Sequence, residues 1–186
     1  DDVDDFRTRN CYRNAVINGV YYNPAIRYRL PVTFDGTSYL APSFTNAPRN
    51  GYDLTEGTAR NLSTQFRADY YSAKPDGTYF NGNEDNGETR GAAYYYRYTG
   101  GNNLATQATT CDNNANYQRV TVSATSGTNP AVGPDERQNF ANWFTFYRTR
   151  MLNAKSAIGL AFQGFNNEIR LGFTTINDTG IDNDDV

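Results

Sequence analysis

The sequence predicts an α/β protein in which a long helix and a buried strand follow a β-rich, loop-rich segment. Apolar residues recur at spacings of three and four from Phe140 to Phe162, which is the period of one helix face. The run EIRLGFTTI at 168–176 has the length and apolar content of a buried strand. Residues 1–133 are polar, aromatic and rich in glycine, which favours short strands and structured loops over a helical bundle.

Short extended pieces are expected along the first part of the chain. The Asp-Gly pair at 35–36 predicts a tight turn between aromatic flanks, and the Pro-Asp-Gly sequence at 75–77 predicts a turn between two further strands. We interpret the arginine- and tyrosine-rich run at 26–30 as an edge strand. The clearest strand candidate is AAYYYRYTG (92–100), and NYQRVTVS (116–123) alternates with a period of two.

The predicted helix occupies residues 134–163. The Pro-Asp-Glu sequence at 134–136 suits a helix start, because proline fits the first turn and acids favour the positive end of the dipole. Its apolar stripe comprises Phe140, Trp143, Phe144, Tyr147, Met151, Ala154, Ile158 and Phe162. We expect this single helix to lie on a sheet that includes the strand at 168–176. The domain division is then 1–133, 134–177 and an acidic tail at 178–186.

The charge of the chain is unevenly distributed. The net charge is -3, but eight of the twenty acidic residues lie in the first five and last nine positions. Residues 6–177 hold twelve acids against seventeen bases, of which fifteen are arginine. This excess predicts either a protein surface on which arginine packs against tyrosine, or an anion-binding face for nucleic acid, acidic polysaccharide or lipid headgroups.

Two cysteines, Cys11 and Cys111, lie one hundred positions apart and belong to no metal-binding motif. They are either two buried thiols or one long-range disulfide, and the polar composition favours the disulfide. By the chain-entropy argument, such a bridge would stabilise the fold by roughly 4–5 kcal/mol. It would also indicate an oxidising compartment. The sequence has no apolar run long enough to predict a membrane span.

The sequence gives little support to catalysis, so we do not expect an enzyme. It contains no histidine, and it lacks the motifs of nucleophilic hydrolases and of phosphate or dinucleotide sites. Two polar loops are candidate calcium sites, because calcium prefers oxygen ligands. Calcium is the one cofactor that the sequence suggests. Their ligands would be Asn81, Asn83, Asp85 and Glu88 in the first loop, and Asp178, Asp182 and Asp184 in the second. The alternative is that both loops are solvated acidic turns.

An aromatic binding surface is predicted on the strand at 92–100. Neighbouring residues of a strand face opposite sides, so Tyr94, Tyr96 and Tyr98 share one face while Tyr95 and Arg97 share the other. An exposed tyrosine face would suit a sugar or a protein partner. The alternative is that this face packs in the core.

Several segments resemble the PilC/PilY-type proteins of type IV pili. They are CYRNAVINGVYYNPAIRYRLPVTFDGTSYLAPSF, AYYYRYTG, DERQNFANWFTFYRTRMLNAKSAIGLAF and IRLGFTTIN. The resemblance implies a partial von Willebrand factor A-like fold, in which 1–133 is a large insertion and 134–177 supplies a helix and strand of the core. It also implies a secreted, pilus-associated protein at the cell surface or pilus tip, acting as an adhesin and assembly factor. Its partners would be minor pilins, the rest of its own longer chain, or a host or surface ligand.

The departures from the family pattern limit this transfer. The family's Asp-x-Ser-x-Ser metal motif occurs nowhere in the 186 residues, and the family's calcium-binding propeller is absent. No functional residue of the family is therefore carried over, and we expect the chain to be an internal piece of a longer protein. Two other functions stay open: a carbohydrate- or nucleic-acid-binding module, and a structural subunit of a filament or surface array.

Overall fold

The computed structural model describes residues 10–33, 35–66, 91–100, 111 and 113–163. Its regular elements are the 3-10 helices Asn10–Arg13 and Asn114–Asn116, strands β1 (Tyr94–Tyr98) and β2 (Tyr117–Thr121), and helices α1 (Arg137–Phe146) and α2 (Arg150–Phe162). The described chain therefore mixes helix and sheet, as predicted, but most of its residues lie in irregular connections. No helix in this part of the chain is both long and apolar enough to cross a membrane.

The two strands form an antiparallel sheet in which Tyr94 pairs with Thr121 and Tyr98 with Tyr117. Both lie inside the segments predicted from their tyrosine and β-branched content, so these two predictions are confirmed. The turn at 35–36 is also present. Gly36 has a φ of 83°, a conformation that glycine adopts without steric cost, and its N–H donates to the Thr33 carbonyl at 3.0 Å. The turn predicted at 75–77 lies outside the described residues.

The edge strand expected at 26–30 is wrong, because this run forms no strand. Its backbone bonds to side chains of α1 instead of to a neighbouring strand. The Asn139 amide donates to the Ile26 carbonyl at 2.8 Å and accepts from the Tyr28 N–H at 2.8 Å. Buried backbone groups need partners, and here a helix supplies them.

The single helix expected at 134–163 is also wrong, because the chain leaves helical geometry at residues 147–149. Thr149 has extended backbone, and its hydroxyl accepts from the Leu152 N–H at 3.2 Å, so it caps a new helix. Tyr147 is held away from helical geometry, because its hydroxyl donates to the Arg29 carbonyl at 2.6 Å. The cap at Thr149 and the Tyr147 hydrogen bond therefore separate two helices, although the apolar period of the sequence continues across the break.

The apolar stripe consequently divides at the break. Its first half, from Phe140 to Tyr147, is buried. In α2 the stripe faces solvent instead, with Met151 67% and Ile158 39% exposed, while Leu152 and Ser156 are the buried residues. The strand predicted at 168–176, on which the helix was expected to pack, lies outside the described residues.

The core is an aromatic cluster around α1. It contains Tyr21, Tyr22, Phe66, Tyr95, Phe140, Trp143, Phe144, Phe146 and Tyr147, with Ala47, Leu62, Ala93, Ala141 and Val122 between them. Ring centroids lie 4.8 Å apart for Tyr22 and Phe140 and 4.9 Å apart for Phe140 and Trp143, in the tilted and edge-on arrangements that aromatic pairs prefer. This core includes residues on both sides of the predicted boundary at 133/134.

The disulfide favoured by the sequence is present between Cys11 and Cys111, whose Cα atoms lie 5.4 Å apart. Close to it, the Asn10 N–H donates to the Asn114 side-chain oxygen at 2.8 Å. The bridge therefore ties the start of the described chain to the segment that enters β2. Two distant parts of the sequence are held together at the sheet.

Candidate functional site

The predicted binding residues Tyr94, Tyr96 and Tyr98 lie on one face of β1, as the alternation of a strand requires. Arg119 of β2 pairs with Tyr96 in the antiparallel register and so joins the same face. We call these four residues the tyrosine face. Its three tyrosines are half-buried, whereas Tyr95 on the opposite side is only 1% exposed and belongs to the core.

Contacts between the rings give the tyrosine face a defined shape. The rings of Tyr94 and Tyr96 meet edge to face at 5.8 Å, and Tyr94 meets Phe66 in the same way at 5.9 Å. The Arg119 guanidinium carbon lies 4.0 Å from the centre of the Tyr94 ring, a distance suited to a cation–π contact. An aromatic surface with one stacked arginine can pack against a protein partner and pair with its carboxylates.

The strand that carries this face is fixed to the rest of the protein by side chains. The Tyr21 hydroxyl donates to the Tyr94 carbonyl at 2.9 Å, and the Asn14 amide donates to the Tyr96 carbonyl at 2.9 Å. Because these bonds occupy backbone acceptors on the strand, they hold it in one position against the core. The face is therefore a preorganised surface, which lowers the entropic cost of binding.

Behind the strand lies a buried polar cluster centred on Glu136, which is 1% exposed. Its carboxylate accepts hydrogen bonds from Tyr22 at 3.0 Å, Tyr95 at 3.4 Å and Ser126 at 2.7 Å. Burial and the nearby Glu136 charge raise the pKa of Tyr95 to about 12 and raise that of Tyr22 still further. Both tyrosines therefore stay protonated and act as hydrogen-bond donors.

The acids at 135 and 136 lie at the start of α1, as the sequence predicted, and Glu136 is its N-cap residue. Asp135 accepts from the Arg137 backbone N–H at 3.1 Å and forms a salt bridge with the Arg137 side chain at 2.6 Å. The Glu136 side chain makes no cap bond, and it holds the strand and the first loop to α1 instead. The sequence did contain an indication that Glu136 faces the core. It precedes Phe140 by four positions and Trp143 by seven, which places it on the apolar face of the helix.

A second surface was not predicted from the sequence. It is a groove of about 580 Å³, lined by residues that include Tyr39, Leu40, Pro42, Tyr52, Leu54 and Thr145. We call it the apolar groove. Leu40 is 82% exposed and Leu54 63% exposed, so both leucines present apolar surface to solvent. The sequence hint was the apolar, proline-containing run SYLAPSF at 38–44, which we interpreted only as extended chain.

The calcium hypothesis concerns residues outside the described part of the chain, namely Asn81, Asn83, Asp85, Glu88, Asp178, Asp182 and Asp184. Within the described residues, no group of three or more histidines, cysteines or acids is placed to hold a metal ion. The predicted calcium loops therefore stay hypotheses.

Comparison with known proteins relates the chain to one group of bacterial proteins. It is 34% identical over 168 residues to the type IV pilus biogenesis factor PilY1 of Pseudomonas aeruginosa strain PAK, across 86% of the chain and 13% of that protein. The PilY1 of strain UCBPP-PA14 is 31% identical over 176 residues, across 91% of the chain and 14% of that protein. The chain thus spans about a seventh of the length of these relatives. No family model and no solved structure matches it.

Proposed function

The chain belongs to the PilY1 family of type IV pilus biogenesis factors, and on that premise we propose that it contributes to pilus biogenesis by binding another protein. The observation that supports this proposal most is the tyrosine face, an aromatic surface with a stacked arginine on a strand held against the core. Such surfaces resemble the central parts of protein interfaces, where tyrosine and arginine are enriched. We assign the chain no catalytic role, because it has no histidine and no recognisable nucleophile motif.

We further propose that the partner is another component of the pilus, such as a minor pilin at the tip, or another part of a longer protein that includes this chain. The proposed location is the cell surface, to which the disulfide is suited because oxidising compartments preserve such bonds. Binding of a host or abiotic surface would in addition make the protein an adhesin. Each of these statements extends the family relationship and is open to the experiments below.

We also propose that, within a longer protein that supplies the other strands of the sheet, helix α2 and residues 168–176 form part of a von Willebrand factor A-like core. The support is the sequence resemblance together with the apolar side chains that α2 presents to solvent, which a sheet would cover. A crystal structure of the longer protein should then show 168–176 as an inner strand beneath α2. A structure in which another element covers α2 would contradict this part of the proposal.

The first experiment locates the protein. An antibody raised against residues 1–133 would be used to blot sheared surface filaments and cell fractions of the source organism. We expect a band in the sheared filament fraction, because a pilus biogenesis factor of this family should accompany the pilus. A signal confined to the soluble cytoplasm would contradict both the pilus role and the surface location.

The second experiment tests the tyrosine face itself. Cells lacking their own pilus biogenesis factor would express the longer protein with Tyr96→Ser and Arg119→Ser, and surface pili would be quantified after shearing. We expect fewer pili, since the substitutions remove an aromatic ring and a charge from the proposed interface. The matched control is Ile26→Ser with Arg27→Ser, which alters an exposed apolar residue and an exposed arginine outside the tyrosine face. Unchanged piliation in the Tyr96 and Arg119 variant, at normal protein level, would contradict the assignment of this face.

A second candidate function is the binding of a polyanion such as nucleic acid or acidic polysaccharide. The observation in its favour is charge, because the described residues contain eleven arginines and lysines against five aspartates and glutamates. Binding of this kind would weaken steeply as salt is raised, owing to counterion release. If the chain showed no measurable affinity for single-stranded DNA at low salt, this candidate function would be excluded.

A further inference from the structure

The apolar groove combines two features that packing among the described residues does not explain. Leu40 and Leu54 line the same groove although each is largely exposed. In the part of the chain that the structure describes, the backbone N–H and C=O groups of Leu40 and Ala41 make no hydrogen bond to protein. An exposed backbone segment beside apolar side chains is the arrangement to which an extended peptide adds, because its main chain can pair while one side chain enters the groove.

The floor of the groove is rigid. Gly51 lines it and approaches the Phe146 ring so closely that a Cβ atom there would overlap the ring. The Gly51 N–H donates to the Thr145 carbonyl at 3.1 Å, and the Thr145 hydroxyl donates to the Pro48 carbonyl at 3.1 Å. The groove is therefore built on the buried end of α1 and keeps its shape before any ligand arrives.

Positive charge borders the groove. Arg49 packs over the lining residue Gly57, with its Cδ 3.2 Å from the position that a Gly57 Cβ would take. Arg60 bonds through its backbone to Ala47 in an antiparallel bridge, next to the lining residue Ala59. A third arginine, Arg148, does not line the groove: its guanidinium carbon lies 4.4 Å from the centre of the Phe144 ring, and its side chain donates to the Phe144 carbonyl.

These three arginines lie close enough to interact electrostatically. The pKa of Arg148 is lowered to about 10, mainly by burial and then by the positive charges of Arg49 and Arg60, while the negative charge of Glu56 opposes the shift. Glu56 is the one carboxylate among these interactions, and it already accepts a hydrogen bond from Asn50 at 2.6 Å. Arg49 is exposed beside the lining residue Gly57 and is therefore placed to meet a carboxylate of a partner.

We propose that the apolar groove binds an extended segment of a partner protein in which an apolar residue is flanked by aspartate or glutamate. The apolar side chain would occupy the space between Leu40 and Leu54, and the peptide backbone would pair with the exposed backbone of Leu40 and Ala41. The acidic residues would lie against Arg49 and its neighbours. This surface is separate from the tyrosine face, and the proposal does not depend on the role in pilus biogenesis.

The test uses the purified 186-residue chain and a fluorescein-labelled peptide, Asp-Asp-Leu-Val-Asp-Asp, followed by fluorescence anisotropy. We expect saturable binding with a Kd below about 1 mM, and a loss of about tenfold or more in affinity for Leu54→Ser and for Arg49→Glu. The matched controls are Ile26→Ser and Arg27→Glu, which alter an exposed apolar residue and an exposed arginine outside the groove. Both controls should bind within about twofold of the wild type.

A second peptide, Asp-Asp-Ser-Ser-Asp-Asp, separates the proposed ligand from any polyanion. We expect it to bind at least about fivefold more weakly, because it offers the same charge without an apolar anchor. Equal binding of the two peptides would overturn the proposal and identify a site for anions in general. Absence of binding at 1 mM peptide, or equal affinity in the groove variants and the controls, would overturn it as well. Because no pilus is involved, failure here would leave the proposed pilus function unaffected.

Discussion

Helices α1 and α2 derive from one apolar stripe in the sequence, yet the structure uses them differently. Seven of the ten residues of α1 are buried, whereas α2 buries only Leu152 and Ser156 among thirteen. The difference follows from what surrounds them. In the described part of the chain, α1 is enclosed by loops and β1, while α2 is exposed along the side that carries Met151 and Ile158.

The comparison shows how the described part of the chain, which has two strands, provides hydrogen-bond partners for its backbone. Side chains of α1 bond to the backbone of the first loop region: Asn142 donates to the Tyr28 carbonyl at 2.9 Å and Trp143 to the Val20 carbonyl at 3.0 Å. In a sheet, neighbouring strands would provide these bonds. Here one helix replaces them, so α1 is the scaffold on which the loops and the two candidate surfaces depend.

The largest expected effect is at Trp143. Its ring packs against Tyr21, Tyr22 and Phe140 and is 3% exposed. We expect Trp143→Ala to lower the free energy of unfolding in urea by about 3–5 kcal/mol, because it leaves a cavity and an unpaired carbonyl. Any loss of partner binding should follow from unfolding. A variant that kept its stability but lost binding would show that α1 is part of an interface.

Raising the pH above 10 should destabilise the fold, because the buried tyrosines that pack on α1 then tend to ionise. In the unfolded chain a tyrosine ionises near its usual 10.0, but burial raises the pKa of Tyr95 and Tyr147 to about 12. A raised pKa favours the protonated form in the folded state. The stabilisation is therefore present below pH 10 and is lost as the pH rises towards 12, by up to about 2–3 kcal/mol for each group.

Absorbance of tyrosinate during a pH titration, measured together with unfolding, checks this expectation. Tyr147→Phe should reduce the loss of stability between pH 10 and 12, since it removes one of the tyrosines whose pKa burial raises. Tyr12→Phe is the control because it lies outside the buried core. Ionisation of all tyrosines near pH 10 with the fold intact would contradict the burial of this cluster.

A smaller effect is expected at Asn139. Its amide joins Tyr22, Ile26 and Tyr28 to α1 through three hydrogen bonds of 2.8–2.9 Å. Asn139→Ala should lower the free energy of unfolding by about 1–3 kcal/mol, because buried polar groups lose their partners. The control is Asn153→Ala in α2, whose half-buried side-chain amide has no hydrogen-bond partner among the described residues. Equal losses of unfolding free energy in the two variants would contradict the conclusion that α1 is the scaffold and α2 is peripheral.

The smallest effect is expected on the exposed side of α2. Met151→Ser and Ile158→Ser should each change the free energy of unfolding by less than about 0.5 kcal/mol, as is usual for surface substitutions. Equilibrium unfolding of the chain by urea provides the measurement. A loss above about 2 kcal/mol would mean that another element covers this side of α2, and it would make the two helices alike.

Local patterns in the sequence were sufficient to predict β1, β2 and the burial of the first half of the stripe, whereas the disulfide was favoured by the overall composition and the burial expected for the second half was wrong. β1 and β2 follow from alternation and tyrosine content, and the turn at 35–36 follows from Asp-Gly chemistry. The break between the helices could not be read from periodicity, because the apolar period continues across it. It depends on Thr149 as a cap and on a Tyr147 hydroxyl bond to a residue 118 positions away.

The candidate surfaces show the same limit. Strand alternation placed Tyr94, Tyr96 and Tyr98 on one face, because their relation is local. The apolar groove is formed by residues from 39 to 59 together with Thr145, and no local sequence pattern predicts that these residues come together. The bonds between 26–30 and α1 were missed for the same reason, since a run of alternating arginine and tyrosine looks like a strand until its actual partner is known.

Hydrogen exchange of the native chain tests most directly whether α1 is the scaffold and α2 is peripheral. The amides of Phe140–Phe146 and those of Asn153–Phe162 would be followed by mass spectrometry or NMR under conditions in which exchange reports opening free energy. We predict protection of α1 close to that of global unfolding, and protection of α2 lower by about a hundredfold, because few buried contacts hold it. Equal protection in both helices, or higher protection in α2, would contradict the account.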